Sequence, residues 1–471
     1  MNSAQNAALW ILAIAYMAII WRIAPKGVSA SGFFNGKHTN GQAPSFWLLV
    51  ASAAISWIFA KSIINAANLA NAFGFWGGVS YAVYYLSFIV AGIAFYLIRT
   101  RSQYTSLPAF LHGKYGQVGM RLFLIAVGIR LYNEIWSNTK VVGSFFGEEG
   151  GPAYWLAVLV FTIFTVIYTW RGGLRSSLLT DALQMCFAGL LLAITLFVIS
   201  PPLLQEWPKS TPEMNSSALT FALLALLQIF SYPFHDPVMT DRAFITNPRT
   251  MLIGFILAGI ISGAFIVLFS LVGVFATQQG YVGGNVTLSV STALGLPMLL
   301  IFNVMMLTSA GSTLDSTFSS AGKLSVLDWS QQTTISQNTV GRAKWTIIGL
   351  AIIGNLPLLS IYLGDQLGPA IIAATTISGT MVMGLAPIIL LSFLPTSPLN
   401  FHLAFWPGLL LGSLLAFVPS LFPAWVAIGS GKYALATGVN LYGIVLCTTG
   451  FLIASLNTHF KLSPLRAKAD A

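Results

Sequence analysis

The chain has 471 residues, 56% of them hydrophobic and 7% charged, whereas a soluble domain of this size would carry about 118 charges. Its 22 Lys+Arg and 12 Asp+Glu cannot cover a water-exposed surface, so the expected class is an all-α polytopic membrane protein embedded in a lipid bilayer. The net charge of +10 comes from bases spread thinly along the chain with no Lys/Arg run, which excludes a nucleic-acid partner.

A transmembrane helix needs about 20 mostly apolar residues. Thirteen stretches qualify, near 6–24, 46–73, 76–98, 119–147, 152–170, 175–199, 217–240, 250–277, 292–326, 343–363, 368–395, 402–422 and 434–457. The first lacks a basic leader and a small-residue cleavage site, so it reads as a retained helix. Cys186 and Cys447 sit in apolar runs and read as small buried residues. The polar segments are short, the longest being 25–45 and 200–216. They hold no P-loop or nucleotide-binding domain, so the chain is read as neither an ATP-driven pump nor an enzyme, and any energy must come from an ion gradient. Sixteen Lys/Arg, Arg242 among them, fall on one set of loops and the C-terminal tail, against only Lys209 and Lys432 on the other set. The positive-inside rule then places the N-terminus outside and the C-terminus in the cytoplasm, with the bacterial inner (plasma) membrane as the expected location.

Ionisable residues inside spans are costly and mark function. Lys61 lies mid-span in a stretch rich in Ser and Asn, too deep to reach the interface, and reads as a binding-site cation or a salt-bridge partner. Arg130 and Glu134, four apart, share one helix face and can pair. Lys140, six further on, faces elsewhere. Asp181, the only acid of its span, reads as serving a cation. His235 and Asp236 stand between Pro233 and Pro237, which break the helix. Broken helices at membrane depth often build transporter sites. Ser309, Ser312, Thr313 and Ser316 recur at i, i+3, i+4, i+7 and so form one stripe with Asp315 at its edge. Such an oxygen stripe suits a dehydrated hard cation. The competing reading is helix packing, with the hydroxyls bonded back to i−4 carbonyls.

Four segments resemble the sodium:solute symporter family. Gly172, Gly173, Thr180, Asp181 and Gln184 are similar to its Gly-Gly…Thr-Asp-x-x-Gln signature; Tyr104, Thr105, Pro108 and Phe110 resemble its Tyr-Thr-x-Pro-x-Phe motif. FHDPVMTDR resembles the Phe-Gly-Gln-Pro pattern, with His235 and Asp236 replacing Gly-Gln while Pro237 and Arg242 match; STLDSTFSSAGKLSVLD is like the family's ninth span. The resemblance implies a LeuT-type fold, with inverted five-helix repeats at 46–199 and 217–395 joined by an external loop at 200–216. Segment 1–45 would be peripheral, as would 396–471. It implies a sodium site from the backbone carbonyls of Ile55, Ile58 and Ser309 and the hydroxyls of Ser312 and Thr313. A second site would use Asp181, Ser312, Asp315 and Ser316, with Asp315 standing where a hydroxyl is usual. Lys61 would meet a substrate carboxylate or neutralise Asp315. Trp57, Ser62, Tyr81, Tyr84, Phe234, His235 and Asp236 would complete the pocket.

The expected function is sodium-coupled symport of a small organic solute, one bearing a carboxylate if Lys61 serves it, into the cell, with no cofactor beyond the coupling ion. Proton coupling on the same fold is the alternative. A non-transporting sensor is disfavoured because no signalling domain follows the last span.

Overall fold

The computed structural model describes residues 3–281, 283–332 and 334–469. Among them every regular element is a helix. Eight helices are long and apolar enough to cross a membrane, or nine when the bent pair Phe46–Trp57 and Ala60–Phe73 is taken as one span. The difference from thirteen has identifiable causes. Spans 152–170 and 175–199 are two helical segments of the continuous run Pro152–Gln205, separated by a kink at Gly173, and count once there. Span 119–147 belongs to the polar helix Leu107–Phe146, while 217–240 and 368–395 are divided into shorter helices.

Local chemistry sets these boundaries. Ser45 caps Phe46–Trp57 by accepting from the Leu48 N–H. That helix ends at Ile58, whose φ of −81° and ψ of 64° leave the helical region, and the chain resumes at Ala60 after a 57° bend. Gly173 takes φ +52°, a conformation that favours glycine, and a Cβ there would strike Phe33. Pro212–Gln228 stops before Pro233, and the chain restarts as the short helix Pro237–Arg242.

The helix Leu296–Lys323 is the axis of the core. It is buried from Leu307 through Gly322 and packs most extensively against Pro152–Gln205. Its hydroxyl stripe therefore meets protein on all sides. Of the cysteines, Cys447 is buried as expected, whereas Cys186 is exposed on the outer face of its helix.

Candidate functional site

A cavity of about 600 Å³ lies beside the bend at Ile58. Of the residues singled out from the sequence, Trp57, Lys61, Ser62, Tyr81 and Tyr84 line it. Asn65, Asn133, Ser137, Gln228, Tyr232, Thr376 and Ser378 line it too, and at its exposed end stands Lys432. Tyr81 donates to Ser62 at 2.9 Å and Tyr84 to Gln228 at 2.6 Å. The indole N–H groups of Trp57 and Trp136, both lining residues, find no acceptor among the described residues.

Phe234, His235 and Asp236 do not line the cavity. Phe234 packs edge-on to Phe95, and His235 Nδ1 lies 2.6 Å from the Tyr232 carbonyl. Asp236 caps the helix Pro237–Arg242 through Oδ1, and its Oδ2 accepts from Arg130 at 3.2 Å. Asp236 and His235 thus stand one residue behind the cavity wall, against the lining residues Arg130 and Tyr232.

Lys61 does not meet Asp315; it lines the cavity and is already paired there. Its Nζ lies 2.6 Å from Glu134 Oε1, with Ser137 Oγ at 3.2 Å. Glu134 also pairs with Arg130, as the i,i+4 spacing predicts, and accepts from Asn138 at 2.9 Å. Lys61, Glu134, Arg130 and Asp236 therefore form a network of two cations and two anions, electrically closed within the protein. Lys140 points away and pairs with Glu149 at 2.6 Å at the helix end.

Some members of the first cation set are linked to one another. Ser309 Oγ donates to the Ile58 carbonyl, the Thr313 hydroxyl donates to the Ser309 carbonyl at 3.0 Å, and Ser312 Oγ donates to Asp181 Oδ1 at 2.5 Å. The Ile55 carbonyl lies one turn before the bend and accepts from the Ile58 N–H at 3.0 Å. Each hydroxyl spends its proton elsewhere and keeps lone pairs. All four side chains, Asp181 included, are fully buried, and no lysine or arginine is bonded to Ser309 or Thr313 among the described residues. The donor set is all oxygen and suits sodium.

The second set is built differently. Asp181 Oδ2 accepts from Ser52 at 2.5 Å and from Arg242 Nη2 at 3.0 Å. The same Nη2 donates to Ser316 at 2.7 Å and Ser56 at 3.1 Å, while Nε donates to Ser52 at 2.9 Å. Arg242, counted among loop residues by its position, is 0% exposed. Asp315 lies beyond it: Oδ2 accepts from Tyr168 and Thr180, both at 2.9 Å. The Gly-Gly signature is accounted for throughout, since Gln184 donates to Tyr16 at 2.8 Å, and Tyr16 reaches the Leu307 carbonyl at 3.2 Å.

The bent, polar helix pair Phe46–Trp57 and Ala60–Phe73, the break near Pro233 and the cavity beside them belong to an all-helical membrane bundle of the LeuT type. The chain is similar in fold to a sodium-coupled sialic acid symporter in a substrate-bound outward-open state, with a TM-score of 0.61 and 15% identity over 96% of this chain and 98% of that one. It is also similar to a nucleobase-cation-symport-1 family transporter in a closed conformation with bromovinylhydantoin bound, at a TM-score of 0.56 and 12% identity over 90% and 96% of the two chains. In sequence it is 22% identical over 251 residues to the urea active transporter of Saccharomyces cerevisiae, a match spanning 47% of this chain and 34% of that relative. No family model matches. These likenesses are to transporters, and they bear out at the level of the fold the resemblance read from the motifs.

Proposed function

We propose that this protein is a secondary active transporter that couples inward sodium movement to uptake of a small, uncharged, polar solute. The closed Lys61–Glu134–Arg130–Asp236 network carries the solute class. A carboxylate entering the cavity would have to displace Glu134 from a contact of 2.6 Å, which a free solute anion does poorly against a tethered one. The remaining lining supplies amides, hydroxyls and aromatic faces, which suit a molecule with both N–H and C=O groups, with Lys432 at the exposed end. The names of two similar proteins, a urea transporter and a carrier seen with a hydantoin, agree with an amide or ureide, whereas the sialic acid symporter is named for an acid. Sodium is assigned to the oxygens of Ile55, Ile58, Ser309, Ser312 and Thr313, at the inner wall of the bend, where ion and solute would share one mobile element.

The test is uptake into proteoliposomes across an imposed sodium gradient, with urea, hydantoins, amides and small carboxylates as solutes. Sodium-dependent accumulation of the uncharged compounds above the carboxylates is expected. Carboxylates as the preferred cargo, or accumulation indifferent to sodium, overturns the reading.

A further inference from the structure

The motif resemblance provides two cation sets, yet the structure brings a guanidinium into the second. Nη2 of Arg242 lies within 3.5 Å of oxygens from Ser56, Ser177, Asp181 and Ser316, drawn from three different long helices. A dehydrated metal ion in that set would need the same lone pairs. Arg242 is not a loose side chain that happens to reach them. Its Nε bonds Ser52, its Nη1 donates to the Val238 carbonyl at 3.0 Å within its own helix, and no part of it is exposed.

Charge count points the same way. The two buried carboxylates here are Asp181 and Asp315, and the titratable or charged groups facing them are Tyr16, Tyr168 and Arg242. The Arg242 guanidinium already balances Asp181, its ion-pair partner. A sodium ion in the second set would add positive charge beside Arg242 in a fully buried region, which is costly.

We infer that Arg242 is a tethered cation that takes the place of a second coupling ion, so that each chain binds one sodium. The count of one rests on the sodium coupling proposed above; the occupation of the second set by Arg242 does not. Its consequence is energetic, because accumulation driven by one ion scales with the sodium gradient to the first power and not the square.

The experiment is equilibrium binding of radioactive sodium to the purified full-length protein in detergent, without solute. Arg242→Met opens the second set, and the sodium count is expected to rise by one per chain over wild type. Asp181→Asn added to Arg242→Met should abolish the extra site, whereas Arg242→Lys, which retains a cation, should keep the wild-type count. Ser316→Ala, a mild change that serves if Arg242→Met does not fold, should also keep it. No gain on Arg242→Met, or loss of a wild-type ion in Ser316→Ala, overturns the inference. A wild-type count of zero with a gain on Arg242→Met refutes the sodium coupling and leaves Arg242 as the tethered cation.

Discussion

Glu134→Gln tests the closed charge network most directly. Glu134 Oε1 contacts Lys61 at 2.6 Å and pairs with Arg130; its side chain is 3% exposed and that of Arg130 is 2% exposed. The substitution keeps shape and leaves Lys61 and Arg130 facing Asp236 alone, one positive charge in excess. Removing one partner of a buried pair costs about 3–5 kcal/mol, or roughly 150- to 5,000-fold in the ratio of folded to unfolded protein. Lys61→Gln leaves one negative charge in excess and costs less, about 1.5–3 kcal/mol, since its side chain is 23% exposed. With both changes Arg130 and Asp236 remain as a neutral pair at 3.2 Å. The double variant should therefore be more stable than the sum of the single effects implies, with a coupling in the upper part of the usual range of about 0.5–3 kcal/mol. Reversible unfolding of the four proteins in mixed micelles measures this. Additivity within about 0.5 kcal/mol would show that the charges act independently, and the argument for an uncharged solute would fall with it.

Other outcomes follow from the same geometry. Ser312→Ala with Thr313→Ala removes two oxygen ligands and should raise the sodium concentration for half-maximal uptake at least about tenfold at unchanged protein yield; unchanged sodium activation would mean that the ion sits elsewhere. Asp315→Ser restores the hydroxyl usual in the resembled motif and should retain sodium activation, while Asp181→Ala strands the buried Arg242 and should cost about 3–5 kcal/mol in unfolding experiments; equal tolerance of the two would contradict the Asp181–Arg242 pairing. Gly173→Ala forces a Cβ into a left-handed conformation against Phe33, so a loss of at least about 1–2 kcal/mol is expected by thermal unfolding, and a variant as stable as wild type would show that the break is not held by glycine.

The features legible in the sequence are those carried by periodicity and local chemistry. The hydroxyl stripe at 309–316 is helical and buried, the Arg130–Glu134 pair forms, and the chain breaks near Pro233. Distance along the chain hid the rest. Glu134 is 73 residues from Lys61, and nothing local says that a helix from the same half of the chain brings it there. Arg242 stood close enough to the polar segment after Asp241 to pass for a loop residue, because a six-residue helix after a proline has no apolar periodicity to reveal its burial. His235 and Asp236 were legible as polar groups at a break, but which way a break turns its side chains depends on what packs against it. The packing reading of the stripe holds at Thr313, whose hydroxyl bonds its i−4 carbonyl, and that bond leaves the oxygen's lone pairs free for the cation proposed there.

The short helix Pro237–Arg242 has a mechanical consequence. Asp236, its cap, is bonded to Arg130 at one end, and Arg242 is bonded to Asp181 at the other. Six residues rise only about 9 Å, less than two turns, so the element has almost no compliance of its own and behaves as a strut pinned at both ends. Through Arg130 and Glu134 one pin reaches Lys61 at the cavity wall; through Asp181 the other reaches Ser312 among the proposed sodium ligands. Binding at the two places then obeys reciprocity: the factor by which the ion tightens the solute equals the factor by which the solute tightens the ion.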